Sequence, residues 1–243
     1  MRYKLIKPIL TSILIVVFAN FVNAQDANAP VADAQDEDSG GLSGGVKILT
    51  NVNTFQKTSP AMGYGVGGFV NYELMGFLTL RGEALYVSYA SGLDSYVVEY
   101  PESSSIDKIS YDNVNLRFHS LEFPVLAQIT LPFMENLKPK VFVGGSYTYN
   151  FGVFEISDNT FYTTNINGAQ VTNEYTNSSE NVSSSYLPYN TSVIGGLQVS
   201  FDDITVDLRY QQGIPNLNTS NNTNSLGDMK SRTLSLSIGY KLF

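Results

Sequence analysis

Cysteine and tryptophan are absent from the 243 residues, histidine occurs once, and charged residues make up only 15%. A soluble domain carries about a quarter charged residues, so the chain is charge-poor. Without cysteine there is no disulfide framework, no thiolate site and no lipid-modified N-terminal cysteine. A single histidine leaves too few ligands for a transition-metal centre, and no cofactor is expected. No run of 18 apolar residues occurs beyond the N-terminus, so no spanning helix is expected in the mature chain. The net charge of −8 disfavours nucleic acid as a partner. Gly63, Gly65, Gly67 and Gly68 do not form a phosphate loop, because they fall inside a strand pattern with no helix after it. What the chain has in quantity is tyrosine (16), phenylalanine (14) and glycine (20).

The first 24 residues read as a signal peptide. Arg2, Lys4 and Lys7 precede an apolar core, ILTSILIVVF, and Val22 and Ala24 place small residues at −3 and −1 of a cleavage site. The apolar run is too short, and its flanks are wrong, for a membrane anchor. Cleavage after Ala24 would leave 219 residues with a net charge of −11. Residues 25–41 carry five acids, no cation and no aromatic. Such a segment cannot bury enough apolar surface to order itself, so a disordered acidic periplasmic leader is expected.

From residue 42 to 243 the pattern is strands and turns. Period-two alternation places strands at about 42–52, 61–73, 77–89, 113–131, 138–151, 185–201, 204–213 and 231–243. The last is the clearest. Leu234, Leu236, Ile238, Tyr240 and Leu242 share one parity, and Thr233, Ser235, Ser237, Gly239 and Lys241 share the other. In the fourth strand, Leu121, Phe123, Val125, Ala127 and Ile129 share a face, while Val114, Leu116 and Phe118 upstream have the opposite parity. This switch near His119–Ser120 predicts a β-bulge there.

Connections alternate in length. Residues 74–76, 132–137 and 202–203 are short, whereas 53–60, 90–112, 152–184 and 214–230 are long and rich in Asn, Ser and Thr. An even strand count with short turns at one end and long loops at the other predicts an all-β fold: an eight-stranded antiparallel up-and-down transmembrane β-barrel. One strand face is apolar and the other polar. In lipid the polar face belongs inside, where an eight-stranded lumen is just wide enough for side chains to fill. Aromatics at strand ends predict two girdles: Phe77, Phe133, Phe201 and Tyr240 at the periplasmic side, and Tyr64, Tyr89, Tyr149, Phe151, Tyr189 and Tyr210 at the outer side. The protein is thus expected in the outer membrane of a Gram-negative cell envelope.

RFHSLEFPVLAQITLP (117–132) resembles the "YLEIPLLLKY" strand of PorT-like outer-membrane β-barrel proteins. LTLRGEALY (78–86) is similar to that family's third strand, and DITVDLRYQQGIPNL (203–217) and SRTLSLSIGYKLF (231–243) to its last two. The resemblance covers residues 42–243. It implies an eight-stranded outer-membrane barrel without a fixed chemistry, and one branch of the family serves a protein-secretion apparatus. The family usually ends in "GYKF", whereas this chain reads Gly239-Tyr240-Lys241-Leu242-Phe243. The extra residue puts Phe243 on inward parity, off the lipid-facing stripe.

Lys47, Arg81, Glu83, Glu122, Asp207 and Arg209 fall on the inward face, with Lys140 at one mouth. Buried charges must pair, so these residues predict a salt-bridged lumen that fixes barrel register, and loss of Glu122 is expected to strand a cation. His119, Ser120 and Glu122 invite comparison with the Ser-His-acid sites of lipid-modifying outer-membrane enzymes. Adjacent strand residues diverge, however, and a base must reach its nucleophile. The expected function is non-enzymatic: a monomeric integral barrel with a plugged polar lumen and outer loops that bind or cover. Its expected partners are membrane lipids and, during biogenesis, the barrel-assembly machinery. The alternative is an accessory component of a protein-secretion or envelope assembly, with a protein partner.

Overall fold

The computed structural model describes residues 41–243 except 56–57, 94, 100–106, 133–138, 167–168 and 218–228. The predicted signal peptide, all of the leader but Gly41, and Phe133 lie outside these residues.

Eleven strands form one antiparallel sheet: β1 (Leu42–Thr54), β2 (Ser59–Met75), β3 (Leu78–Gly92), β4 (Tyr96–Glu99), β5 (Lys108–Asp112), β6 (Asn115–Thr130), β7 (Lys140–Ile166), β8 (Ala169–Asn181), β9 (Tyr189–Phe201), β10 (Ile204–Gly213) and β11 (Arg232–Lys241). Eight of them close a ring, β1-β2-β3-β6-β7-β9-β10-β11, because β7 pairs with β9 and β11 returns to β1. The closing seam is continuous from Gly45↔Lys241 to Thr54↔Arg232. Each ring strand pairs with its neighbours in chain order, which is the up-and-down arrangement. Closure leaves no ring strand with unpaired backbone, the condition for a sheet to sit in hydrocarbon.

Side-chain alternation matches this ring. Leu234, Leu236, Ile238, Tyr240 and Leu242 point outward, each about half exposed, and Thr233, Ser235 and Ser237 are buried. The same outward apolar parity runs through Val46 and Ile48, Val66, Val125 and Ile129, Val141 and Val143, Leu197, and Leu208, all exposed. A continuous apolar belt of this extent is untenable in water and expected in lipid. Inside, β2 contributes Gly63, Gly65 and Gly67. A Cβ on Gly67 would collide with the Ala84 carbonyl oxygen and meet the Leu85 side chain, so glycine there lets β2 and β3 approach closely.

Three elements depart from the sequence reading. Residues 90–112 and 152–184, expected as loops, carry the β4–β5 hairpin, the far half of β7, and β8. Together they extend one wall into a four-stranded sheet ordered β4-β5-β7-β8. A membrane-crossing strand needs about 9–11 residues, so the 27-residue β7 reaches far beyond it. Its outer half, FEISDNTFYTTNI, is rich in Phe, Tyr, Thr and Ile, which favour strands.

A bulge does fall at His119–Ser120 in the β6–β7 ladder, where it was expected, but β6 keeps its parity through it. Val114, Leu116, Phe118, Ser120 and Glu122 are all buried on one inward parity. The extra residue lies on β7, where the register passes from Asn150 to Gly152 and leaves Phe151 unpaired with β6. The apolar parity switches along β6 in the sequence because the lumen side is apolar at Leu116 and Phe118 and polar at Ser120 and Glu122.

The third departure is at the C-terminus. The N–H groups of Leu242 and Phe243 both donate to the Gly44 carbonyl, at 2.8 and 3.4 Å, and Gly44 N–H donates to Phe243 O at 3.1 Å. Two residues opposing one constitute a bulge. It absorbs the extra residue, so the Phe243 ring lies over the outward face of Gly44, 2.6 Å from where a Cβ would stand, rather than on inward parity.

Candidate functional site

The lumen holds the candidate site, and its layers follow from which ring strands supply each height. At the short-turn end a vestibule of about 410 Å³ opens between Phe69, Thr79, Lys140, Gln198, Thr205 and Lys241. Lys140 donates to the Thr79 hydroxyl at 3.4 Å, at this mouth, where the sequence places it.

Above the vestibule five of the six predicted lumen charges meet. Lys47 Nζ lies 3.2 Å from Glu83 Oε1 and 2.8 Å from Asp207 Oδ2. Arg81 Nε is 2.9 Å from Glu83 Oε1, and Arg209 Nη1 is 3.0 Å from Glu83 Oε2. Arg209 also approaches Asp207 at 3.8 Å. All five side chains are almost wholly buried. Glu83 is the hub, since it faces three cations. Arg81 donates to Gln198 Oε1 at 2.5 Å, and its guanidinium stands 4.0 Å from the centre of the Phe69 ring. Gln128 donates to the same Gln198 oxygen at 3.1 Å.

Glu122 is buried in the lumen but forms none of these ion pairs. Its carboxyl accepts a short hydrogen bond from the Tyr89 hydroxyl. The expectation that Glu122 holds a cation is therefore corrected. Tyr89 is corrected with it: its side chain turns inward to Glu122 instead of joining the outer girdle. The other described girdle aromatics, Phe77, Phe201, Tyr240, Tyr64, Tyr149, Phe151, Tyr189 and Tyr210, are exposed on the outer face.

The next layer is neutral and polar. Gln211 donates to Ser192 and Ser146 at 2.8 and 3.2 Å, Ser120 donates to Asn150 at 2.7 Å, and Thr233 donates to Asn53 at 2.7 Å. A cavity of about 20 Å³ lies here, beside Phe55, Phe118 and Leu217. This is room for about one water. At the long-connection end Phe55, Leu116, Phe118, Val153, Tyr186, Leu217 and Met229 pack into one buried apolar cluster. Phe118 stacks at 5.2 Å on Phe55 and edge-on at 5.3 Å to Tyr186. Burial in this cap, with the Glu155 carboxylate nearby, pushes the Tyr186 phenol up to about 12.

His119 does not join Ser120 or Glu122. It lies on the outward face, with Nδ1 2.7 Å from the Tyr86 hydroxyl, whereas Ser120 and Glu122 are inside. No triad is assembled from these residues. Among the described residues, no group of three His, Cys, Asp or Glu is placed to hold a metal. The cap and the glutamine layer were not anticipated. The sequence signal for the cap was present in Val114, Leu116 and Phe118, which share parity with Ser120 and Glu122.

A family model described as outer membrane protein beta-barrel domain matches residues 23–218. No curated protein matches the chain. Similar solved structures include Neisserial surface protein A, at 13% identity and TM-score 0.39 over 85% of this chain and 100% of that one. Ail, the attachment invasion locus protein of Yersinia pestis, is similar at 12% identity and TM-score 0.35 over 82% and 98%. The outer membrane protein OprG from Pseudomonas aeruginosa is similar at 10% and 0.34 over 86% and 99%.

Proposed function

The chain belongs to the outer membrane protein β-barrel domain family, and we propose that within it this protein is a non-enzymatic, non-conducting barrel that presents a rigid surface sheet outside the cell. What supports this reading is the packing of side chains inside the ring. A buried charge layer, a neutral polar layer with a cavity of about 20 Å³, and an apolar cap follow one another above the vestibule. Ions crossing this path would have to displace paired charges and then an apolar plug. Long connections lie outside in this family's architecture, so the β4-β5-β7-β8 sheet projects from the outer surface. The test is liposome swelling with a small sugar. Vesicles containing the refolded barrel should swell no faster than empty vesicles, and swelling at porin rates would sink the proposal.

A specific observation favours a second reading, an accessory role in a secretion or envelope assembly of the PorT-like kind. Among the described residues β8 pairs only with β7, and β4 only with β5, so the projecting sheet offers two free strand edges. A free edge is a template for a partner strand. A stable protein partner retained from solubilised outer membrane, and lost on removal of β8, would support this reading over a purely structural one.

A further inference from the structure

The outward positions of the eight ring strands are almost free of charge. Among the described residues whose strands pair within the ring they carry two cations, Arg117 on β6 and Arg232 on β11, and no acid, the outward Asp158 lying on β7 beyond its ring pairing. Both lie at the long-connection ends of their strands, at the upper rim of the apolar belt. The two differ in setting. Arg232 is exposed, whereas Arg117 is half-buried and its Nε is shut off from solvent without a hydrogen-bond partner. Among the described residues no carboxylate pairs with Arg117, while the lumen cations Lys47, Arg81 and Arg209 each contact one. A partly desolvated guanidinium without an anion is costly, so a missing counter-ion is the simplest completion of this site.

The surroundings say what that anion belongs to. Below Arg117 on the same face come His119, then Leu121, Phe123, Val125, Ala127 and Ile129, a stripe that runs down into the belt. His119 packs against Tyr86, Phe151 and Phe154, with ring centres 5.6–6.3 Å apart, and forms an aromatic floor beside the arginine. An occupant that satisfies both parts has an anionic head at the rim and an apolar tail along the strand. We propose that Arg117 is the head-group site for a phosphorylated lipid of the outer leaflet, with the guanidinium fork on the phosphate and acyl chain on the Leu121–Ile129 stripe. Guanidinium meets phosphate through two parallel charge-assisted hydrogen bonds, which a lysine cannot reproduce.

The test is native mass spectrometry of the full refolded chain from mixed micelles of a neutral detergent with diphosphoryl lipid A, or with the same lipid stripped of its phosphates. Wild type should retain the phosphorylated form and release the stripped one. R117Q should lower retention about tenfold, the scale of one charged bidentate contact. R232Q, at the exposed arginine, should change it by less than about twofold. Equal retention by R117Q and wild type would overturn the site, as would equal losses in R117Q and R232Q, which would mark a diffuse charge effect. Displacement of the lipid by inorganic phosphate alone would overturn the lipid assignment. If R117Q does not refold, R117K decides: reduced retention supports the fork, and wild-type retention removes it.

Discussion

Lys47 and Asp207 reach each other across the closing strand. Lys47 stands on β1 and Asp207 on β10, yet their charged atoms are 2.8 Å apart because β11 between them presents only Gly239 and Ser237 at that height. The pair thus ties the first strand to the penultimate one and bridges the seam from inside. Breaking a buried pair from one side costs about 3–5 kcal/mol, whereas replacing both partners by apolar groups is often nearly neutral. Asp207→Ala should therefore lower the heat-modifiability midpoint on semi-native gels sharply, and Lys47→Met with Asp207→Leu should recover most of the loss. A midpoint for Asp207→Ala equal to wild type would show that the seam does not depend on this pair.

Glu83 and Glu122 are both buried lumen glutamates, and their partners separate them. Glu83 faces Lys47, Arg81 and Arg209, whereas Glu122 takes a hydrogen bond from Tyr89. Glu83→Gln should be the most disruptive single change in the lumen, with folding yield falling outright. Glu122→Gln keeps an acceptor for Tyr89 and should cost no more than about 1–2 kcal/mol. Similar unfolding midpoints for the two variants would contradict this division.

Alkaline stability should depend on Tyr186. Its phenol is held neutral in the apolar cap up to about 12, against about 10 in the unfolded chain. A raised folded value means that the stabilising difference is complete below pH 10 and is lost as pH rises from 10 towards 12. Over that window wild type should lose more stability than Tyr186→Phe, which has no phenol to ionise. Urea midpoints at pH 8, 10 and 11 compare the two, and parallel curves would exclude Tyr186 from the alkaline response.

The C-terminal bulge rests on Gly44. Any side chain there would collide with the Phe243 ring, which sits 2.6 Å from the Cβ position. Gly44→Val should expel the ring and loosen the last bonds of the seam, at about 1–3 kcal/mol. Amide hydrogen exchange at Leu242 and Phe243 should then accelerate while the rest of β11 stays protected. Unchanged exchange at both amides would show that the ring is not seated over Gly44.

The outward stripe of β11 was legible because a strand with one face in lipid must alternate strictly, and Leu234 to Leu242 do. The inward position of the six charges was legible for the same reason, since a charge on the lipid face has no partner. Partnership was not legible: nothing in the spacing of Glu122 distinguishes a salt bridge from the Tyr89 hydroxyl that it meets. Tyr89 itself read as a girdle aromatic because a strand-end tyrosine suits either face. Val114, Leu116 and Phe118 read as a parity switch in β6 because their side of the strand is apolar, and the parity holds because the upper lumen here is apolar as well. The outer sheet was missed because Asn-, Ser- and Thr-rich segments look like loops, and β5, β7 and β8 become strands only by pairing with one another. Phe243 changed faces through a backbone device, two N–H groups on one carbonyl, that no side-chain pattern records.

Single-channel recording in planar bilayers tests the sealed lumen most directly. The refolded wild-type barrel should insert without discrete steady conductance in molar salt at either polarity. Steady ohmic channels from the wild-type protein would contradict the account.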